Sequence, residues 1–185
     1  MTVTLKKDHK STIIAKGDKV IKTFGRPMEF IDEEWLRHYK TFHKMYGGVV
    51  RVHDADKNHI VMDFVEGSTL NDTFWKEKGL DHKLGYEAFA AILSCLSHMS
   101  EYSSTIDRVW FHNDAGMHNY VVSNGHFILV DPDAFKLTRN PYPGTFVSHL
   151  HPLVNVLRCL YDVHEKKYFF EKSEKNGVHL RENRV

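Results

Sequence analysis

Three oxygen-bearing side chains carry the clearest chemistry in this sequence. Asp114 and Asn119 stand five residues apart in Phe111-His112-Asn113-Asp114-Ala115-Gly116-Met117-His118-Asn119, and Asp131 closes an apolar run at Asp131-Pro132-Asp133. An Asp at the head of a loop and an Asn five residues on can face one point in space, and an Asp after the next hairpin can reach the same point. Such a set can orient a hydroxyl group and hold a metal ion against a nucleotide's phosphates, which is what phosphoryl transfer requires.

These residues need strands and helices to bring them together. Thr2 to Lys6, Ser11 to Lys16 and Lys19 to Phe24 are short β-branched runs separated by the turn signals Lys7-Asp8-His9-Lys10 and Gly17-Asp18, which predicts an antiparallel meander. Met28, Ile31, Trp35, Tyr39, Phe42 and Tyr46 recur at helical spacing behind Pro27, predicting a helix from Met28 to Tyr46 that stops at Gly47-Gly48. Two further strands are expected at Val49 to His53 and His59 to Val65. Beyond Glu66-Gly67-Ser68 the pattern turns helical. Leu70 to Lys78 is a short candidate, and Tyr86 to Tyr102 a longer one with Phe89, Leu93, Leu96 and Met99 or Ser100 facing inward. A hairpin of Tyr120 to Ser123 and His126 to Val130, turning at Asn124-Gly125, follows the Asp114 loop, and a last helix is expected over residues 152–170. There is no internal repeat and no low-complexity tract.

Composition narrows the function classes. At 185 residues the chain suits one domain or two small lobes sharing a cleft. The formal net charge of +1 provides no global field for nucleic acid or membrane, so partners must be recognised locally. Two cysteines, Cys95 and Cys159, both in apolar helical patterns, do not make a disulfide framework, and a reducing cytoplasm is the expected compartment. No apolar stretch approaches the length of a membrane span, so a soluble protein that is not exported is expected. His149 and His151 lie close in sequence but match no zinc-ligand spacing, and no cysteine pair accompanies them.

With the order of these segments in view, the chain resembles the protein kinase superfamily. His112-x-Asp114-x4-Asn119 is similar to the kinase catalytic loop, and Ile60-Val61-Met62-Asp63-Phe64-Val65-Glu66-Gly67-Ser68-Thr69-Leu70 to the strand and hinge that join the two kinase lobes. Lys19-Val20-Ile21-Lys22 resembles the lysine-bearing third strand. Ser123-Asn124-Gly125 before Asp131-Pro132 and Phe135, with Phe42-His43-Lys44-Met45-Tyr46, is similar to the early serine/threonine protein kinases of T7-like bacteriophages. The resemblance implies an α+β, two-lobed fold: residues 1–65 forming a five-stranded antiparallel lobe with one helix, and residues 66–185 a reduced, mainly helical lobe. It also implies ATP and Mg²⁺ as cofactors and a protein, such as a host protein, as substrate. Nothing in it indicates an oligomeric state.

Roles follow for named residues. On a strand Val20 and Lys22 point the same way, so Val20 can lie on the adenine while Lys22 reaches the α- and β-phosphates. Lys22 needs a carboxylate to hold it; the stripe centred on Trp35 puts Glu34 on its flank, with Asp32 on the other side as the alternative. By resemblance the Asp63 carbonyl and the Val65 amide and carbonyl hold the adenine edge, with Met62 behind the ring. Asp114 orients the attacking hydroxyl, Asn119 and Asp131 hold Mg²⁺, and His112 supports the loop.

The departures are as informative. The first turn, Lys7-Asp8-His9-Lys10-Ser11, has no glycine where kinases use a glycine-rich loop to bring amides to the phosphates, leaving Lys6, Lys7 and Lys10 as substitutes in the form of point charges. Gly116 stands where protein kinases carry a lysine, with His118 a candidate replacement. Asp131-Pro132-Asp133 replaces Asp-Phe-Gly, and the proline restricts switching of that segment. The short second lobe leaves peptide docking to a few residues around 139–151 or to a partner. Two other classes therefore stay open: a kinase-shaped pseudoenzyme that binds and blocks a partner, and a small-molecule phosphotransferase.

Overall fold

A computed structural model describes residues 2–76, 82–139, 153, 154, 156 and 157. Among them, strands β1 (Thr2–Lys7), β2 (Ser11–Lys16), β3 (Lys19–Phe24), β4 (Val52–Ala55) and β5 (His59–Asp63) form one antiparallel sheet in the order β1-β2-β3-β5-β4. Helix α1 (Glu33–Tyr46) connects β3 to β4. This is the α+β arrangement expected for the first lobe, with its lysine strand at the centre of the sheet.

Several boundaries move. The helix begins at Glu33 rather than Met28, because the Asp32 carboxylate accepts the Trp35 amide at 2.8 Å and so caps the first turn. The fourth strand starts at Val52 rather than Val49. Residues 48–50 are taken up elsewhere: the Val50 amide donates to the Leu129 carbonyl and the Leu129 amide to the Gly48 carbonyl, both at 2.9 Å, a parallel bridge into the second lobe. β5 ends at Asp63 because the Phe64 amide turns to the Asp18 carbonyl.

The second lobe opens with the short strand β6 (Ser68–Thr69), α2 (Leu70–Lys76) and the 25-residue helix α3 (His82–Ile106), longer at both ends than its apolar core suggested. Its inward stripe is Ala88, Ile92, Cys95, Met99 and Tyr102, while Leu93 is exposed. Of the expected stripe, Met99 is in the core and Phe89 and Leu96 pack partly buried at its edge, whereas Leu93 points out and its place is taken by Ile92. β7 (Val109–His112) leads into the Asp114 loop. β8 (Tyr120–Ser123) and β9 (His126–Leu129) form the predicted hairpin, and β10 (Phe135–Thr138) returns antiparallel to β7. Asn124 and Gly125 both adopt positive φ, as a two-residue hairpin turn demands. β6 completes a three-stranded sheet against β8.

The two lobes share one aromatic core. Trp35, Tyr39 and Phe42 from α1 pack with Trp110 of β7 and Phe135 of β10, the Trp110 and Phe135 rings stacked at 5.2 Å. Trp35 Nε1 donates to the Phe135 carbonyl at 3.0 Å, and the Tyr39 hydroxyl to the Val50 carbonyl at 2.9 Å. Burying rings of this size contributes roughly 25 cal/mol per Å² of apolar surface, which fastens α1 to the strands carrying the loop. Residues 153, 154, 156 and 157 are helical, and Leu153 and Val156 join the core. The remainder of the expected last helix, the substrate segment at 140–151, His149, His151 and Cys159 lie outside the described residues. No helix among the described residues is long and apolar enough to cross a membrane.

Candidate active site

Lys22, Asp114, Asn119 and Asp131 line a single cavity of about 920 Å³ between the sheet and the second lobe. Ile13, Phe24, Met28, Met62 and Val130 supply apolar walls, and Lys6, His9, Lys10 and Arg26 a basic rim. That volume falls within the roughly 300–1,000 Å³ of small-molecule sites. The central convergence expected from the sequence is present, and its position follows from topology. β3 places Lys22 opposite Ile13 and Ile60, and the β7–β8 and β9–β10 connections place the three oxygen-bearing residues below it.

The loop geometry is held by its own polar groups. His112 is fully buried with its ring edge against Phe135. Its Nδ1 accepts the Asp114 amide at 3.3 Å while its Nε2 faces the Asp131 carbonyl at 3.1 Å, so the imidazole ties the two segments together as expected. The Asn119 side-chain amide donates to the Asp114 carbonyl at 2.6 Å, which orients the amide. The Asp114 carboxylate is exposed and its Oδ2 lies 3.2 Å from His118 Nε2. Gly116 makes room for that imidazole: a β-carbon at 116 would stand 2.5 Å from the His118 ring. The His118 ring thus occupies the space that a side chain at 116 would take.

Lys22 is the most tightly engaged group in the site. Its ammonium donates to the Asp131 carboxylate and, at 2.6 Å, to Asp133 Oδ1, with both Lys22 and Asp133 nearly excluded from solvent. Burial alone would lower the lysine pKa, but the two carboxylates overcome it and hold the value above that of an ordinary lysine. Burial would likewise raise Asp131, yet the Lys22 charge keeps it below the usual carboxylate value. Asp133 moves the other way, raised by burial and by the neighbouring Asp131 charge. Asp131 also adopts left-handed backbone, φ 68 and ψ 58, a conformation that asparagine and aspartate tolerate better than most residues.

Glu34 is not brought to Lys22. It lies 3.2 Å from Arg108 and is partly exposed, because the Trp35 stripe turns down onto β7 and β10 rather than toward the sheet. Asp32, the alternative, is spent as the helix cap. Asp133 makes the contact instead. The sequence offered no sign of this beyond a second carboxylate two residues from Asp131.

Other expected contacts are partly placed. Met62 lines the cavity; Val20, although on the same strand face as Lys22, is buried in the core and is not part of the lining. The Asp63 side chain, outside the lining, is paired with Lys19 and His53, both at 2.6 Å. Val65, whose amide and carbonyl the resemblance puts on the adenine edge, is likewise outside the lining. Of the lysines in the first turn, Lys6 and Lys10 reach the cavity and Lys7 does not. Arg26 was not foreseen: it sits in the loop after β3, and only the close packing of Gly25 on the turn, with its amide donating to the Lys10 carbonyl at 2.7 Å, brings it to the rim.

The donor set fits one class of metal. No group of three His, Cys, Asp or Glu among the described residues could hold a metal alone. Asp131 and Asn119 offer two oxygens, which suits a hard cation that retains waters and shares its coordination with phosphates, as Mg²⁺ does, and does not suit zinc.

No family model and no curated protein matches the chain. Among solved structures, the streptomycin-ATP-APH(2")-IIa ternary complex is similar at 12% identity over 75% of this chain and 67% of that one, with a TM-score of 0.43. The chemistry of the cavity follows from its own side chains.

Proposed function

We propose that this protein is an ATP- and Mg²⁺-dependent phosphotransferase that moves the γ-phosphoryl group to a hydroxyl group of a protein. The observation that carries the reading is the convergence of Lys22, Asp114, Asn119 and Asp131 on one cavity. The adenine would lie against Met62 and Ile13, and by the resemblance its edge would face the main chain of Asp63 and Val65. Lys22 would take the α- and β-phosphates, and the basic rim of Lys6, His9, Lys10 and Arg26 would replace the amides of a glycine-rich loop. Asp114 orients the acceptor hydroxyl and takes its proton as the bond to phosphorus forms, while the leaving ADP oxygen keeps the electron pair of the bond that breaks. Mg²⁺, held by Asn119 and Asp131, would neutralise charge on the transferring group. The domain boundary falls at 65/66 in this reading. The resemblance in Phe42-His43-Lys44-Met45-Tyr46 and Ser123-Asn124-Gly125 extends it to serine/threonine targets in the cytoplasm of a host cell and to a phage source.

One observation favours a second reading, a kinase-shaped binder: Lys22 already neutralises Asp131. Two measurements separate them. ATP with Mg²⁺ should raise the melting temperature, since a ligand bound only by the folded state stabilises it. Labelled phosphate should pass from γ-labelled ATP to protein, with the transfer lost in Asp114→Ala and in Asp131→Ala. Binding without transfer identifies the binder, neither result leaves phosphotransfer standing without support, and transfer to a small metabolite alone identifies a small-molecule enzyme.

A further inference from the structure

The lysine of this site takes its orientation from the loop that also carries the metal-ligand candidate. Asp131 and Asp133 belong to one tight turn, Pro132–Ala134, closed by the Ala134 amide donating to the Asp131 carbonyl at 3.0 Å. That turn is tied to the Asp114 loop by the Asn113 amide on the Ala134 carbonyl at 2.7 Å, and Lys136 Nζ donates to the Asp133 carbonyl at 3.1 Å. Asp133 is therefore held at both its neighbours and its own main chain. Glu34, the helix carboxylate nearest in sequence to the expected role, is engaged by Arg108.

We infer that Asp133 is the positioning residue for the Lys22 ammonium, doing from the loop after β9 what a helix carboxylate was expected to do. This rests on the phosphotransfer reading. One ammonium pairs directly with two carboxylates, Asp133 nearly excluded from solvent and Asp131 partly exposed toward the cavity, so the Asp131 side has room for a further positive charge. With nucleotide and cation bound, Lys22 would keep Asp133 and turn a remaining N–H toward phosphate, leaving Asp131 free to hold the cation. Without Asp133 the ammonium would have Asp131 as its sole partner and would compete with the cation for it. Because both carboxylates ride on one turn, lysine placement does not depend on how α1 sits against the sheet.

Calorimetric titration of the full chain with ATP alone and with ATP plus Mg²⁺ tests this, using wild type, Asp133→Asn, Asp133→Glu and Glu34→Gln. The expected result is that Mg²⁺ tightens ATP binding by wild type, that Asp133→Asn loses about tenfold or more of that gain, as partners behind a metal ligand commonly do when removed, and that Asp133→Glu recovers part of it. Glu34→Gln should match wild type. A full Mg²⁺ gain in Asp133→Asn, or its loss in Glu34→Gln, overturns the inference while leaving phosphotransfer intact. Should Asp133→Asn not fold, Asp133→Glu decides: an altered gain supports the role and an unaltered one overturns it, since a lengthened carboxylate cannot keep the same geometry. Failure of wild type to bind ATP under either condition overturns the phosphotransfer reading, and the inference with it.

Discussion

At the scale of single residues, the site is a competition for one ammonium. Lys22 has two carboxylates, and the loss of either leaves it paired, so Asp131→Asn should abolish transfer while leaving the urea midpoint close to wild type. Removing both should cost roughly 3–5 kcal/mol, the penalty of an uncompensated buried charge, readable by equilibrium unfolding of the double variant. Cys95 offers a second check on burial: its thiol is pushed up to about 12, so it should resist alkylation at neutral pH in the folded protein and react on unfolding. A much lower folded-state protection would mean that α3 packs more loosely than described. What the sequence made legible here was residue type at fixed spacing, since Asp114, Asn119 and Asp131 are joined by a loop and a hairpin of predictable length. The partner of Lys22 was not legible. It depends on which way α1 is rotated about its axis, and that is set by Trp35 seeking Phe135, a contact 100 residues away.

At the scale of elements, periodicity and turn signals found the strands of the first sheet and the hairpin at Asn124-Gly125 but missed β6, β7 and β10, short strands that no tight turn joins to their partners. Those strands are defined by their partners, β8 for β6 and each other for β7 and β10. The link between lobes is a sharper case. Gly67 has φ +155, and a β-carbon there would stand 2.1 Å from the Val122 carbonyl oxygen, so the chain entering β6 passes β8 at a distance only glycine permits. Gly67→Ala should therefore lower stability by about 1–3 kcal/mol through strain and displacement of β8. It should also weaken nucleotide binding, because β8 follows Asn119 directly. Denaturant unfolding and ATP titration of the same variant check both, and an unchanged midpoint would show that the backbone there is less confined.

At the scale of the whole molecule, a net charge of +1 conceals a strongly uneven surface, because Lys6, His9, Lys10 and Arg26 gather on one rim only after β1, β2 and the loop following β3 are folded. Composition could exclude a global field but could not foresee that rim. Acid stability depends on groups spread across α1. Burial and the adjacent Arg37 hold His38 below the ordinary histidine pKa, and burial and Arg51 do the same for His43. The folded state thus disfavours protonation, so this stability is fully present above about pH 6.5 and declines as pH falls through that value toward the lower folded values. The unfolding midpoint should fall between pH 7.5 and 5.5, and His38→Gln should flatten the decline; a flat wild-type profile would contradict it. The bridge between residues 48–50 and Leu129 has a mechanical corollary. A panel hung from two pins can swing about the line through them but cannot be lifted off its frame. The polypeptide crossing at Gly67 is one pin and the Val50–Leu129 pair the other, so a wide parting of the halves would first have to break the hydrogen bonds of that pair.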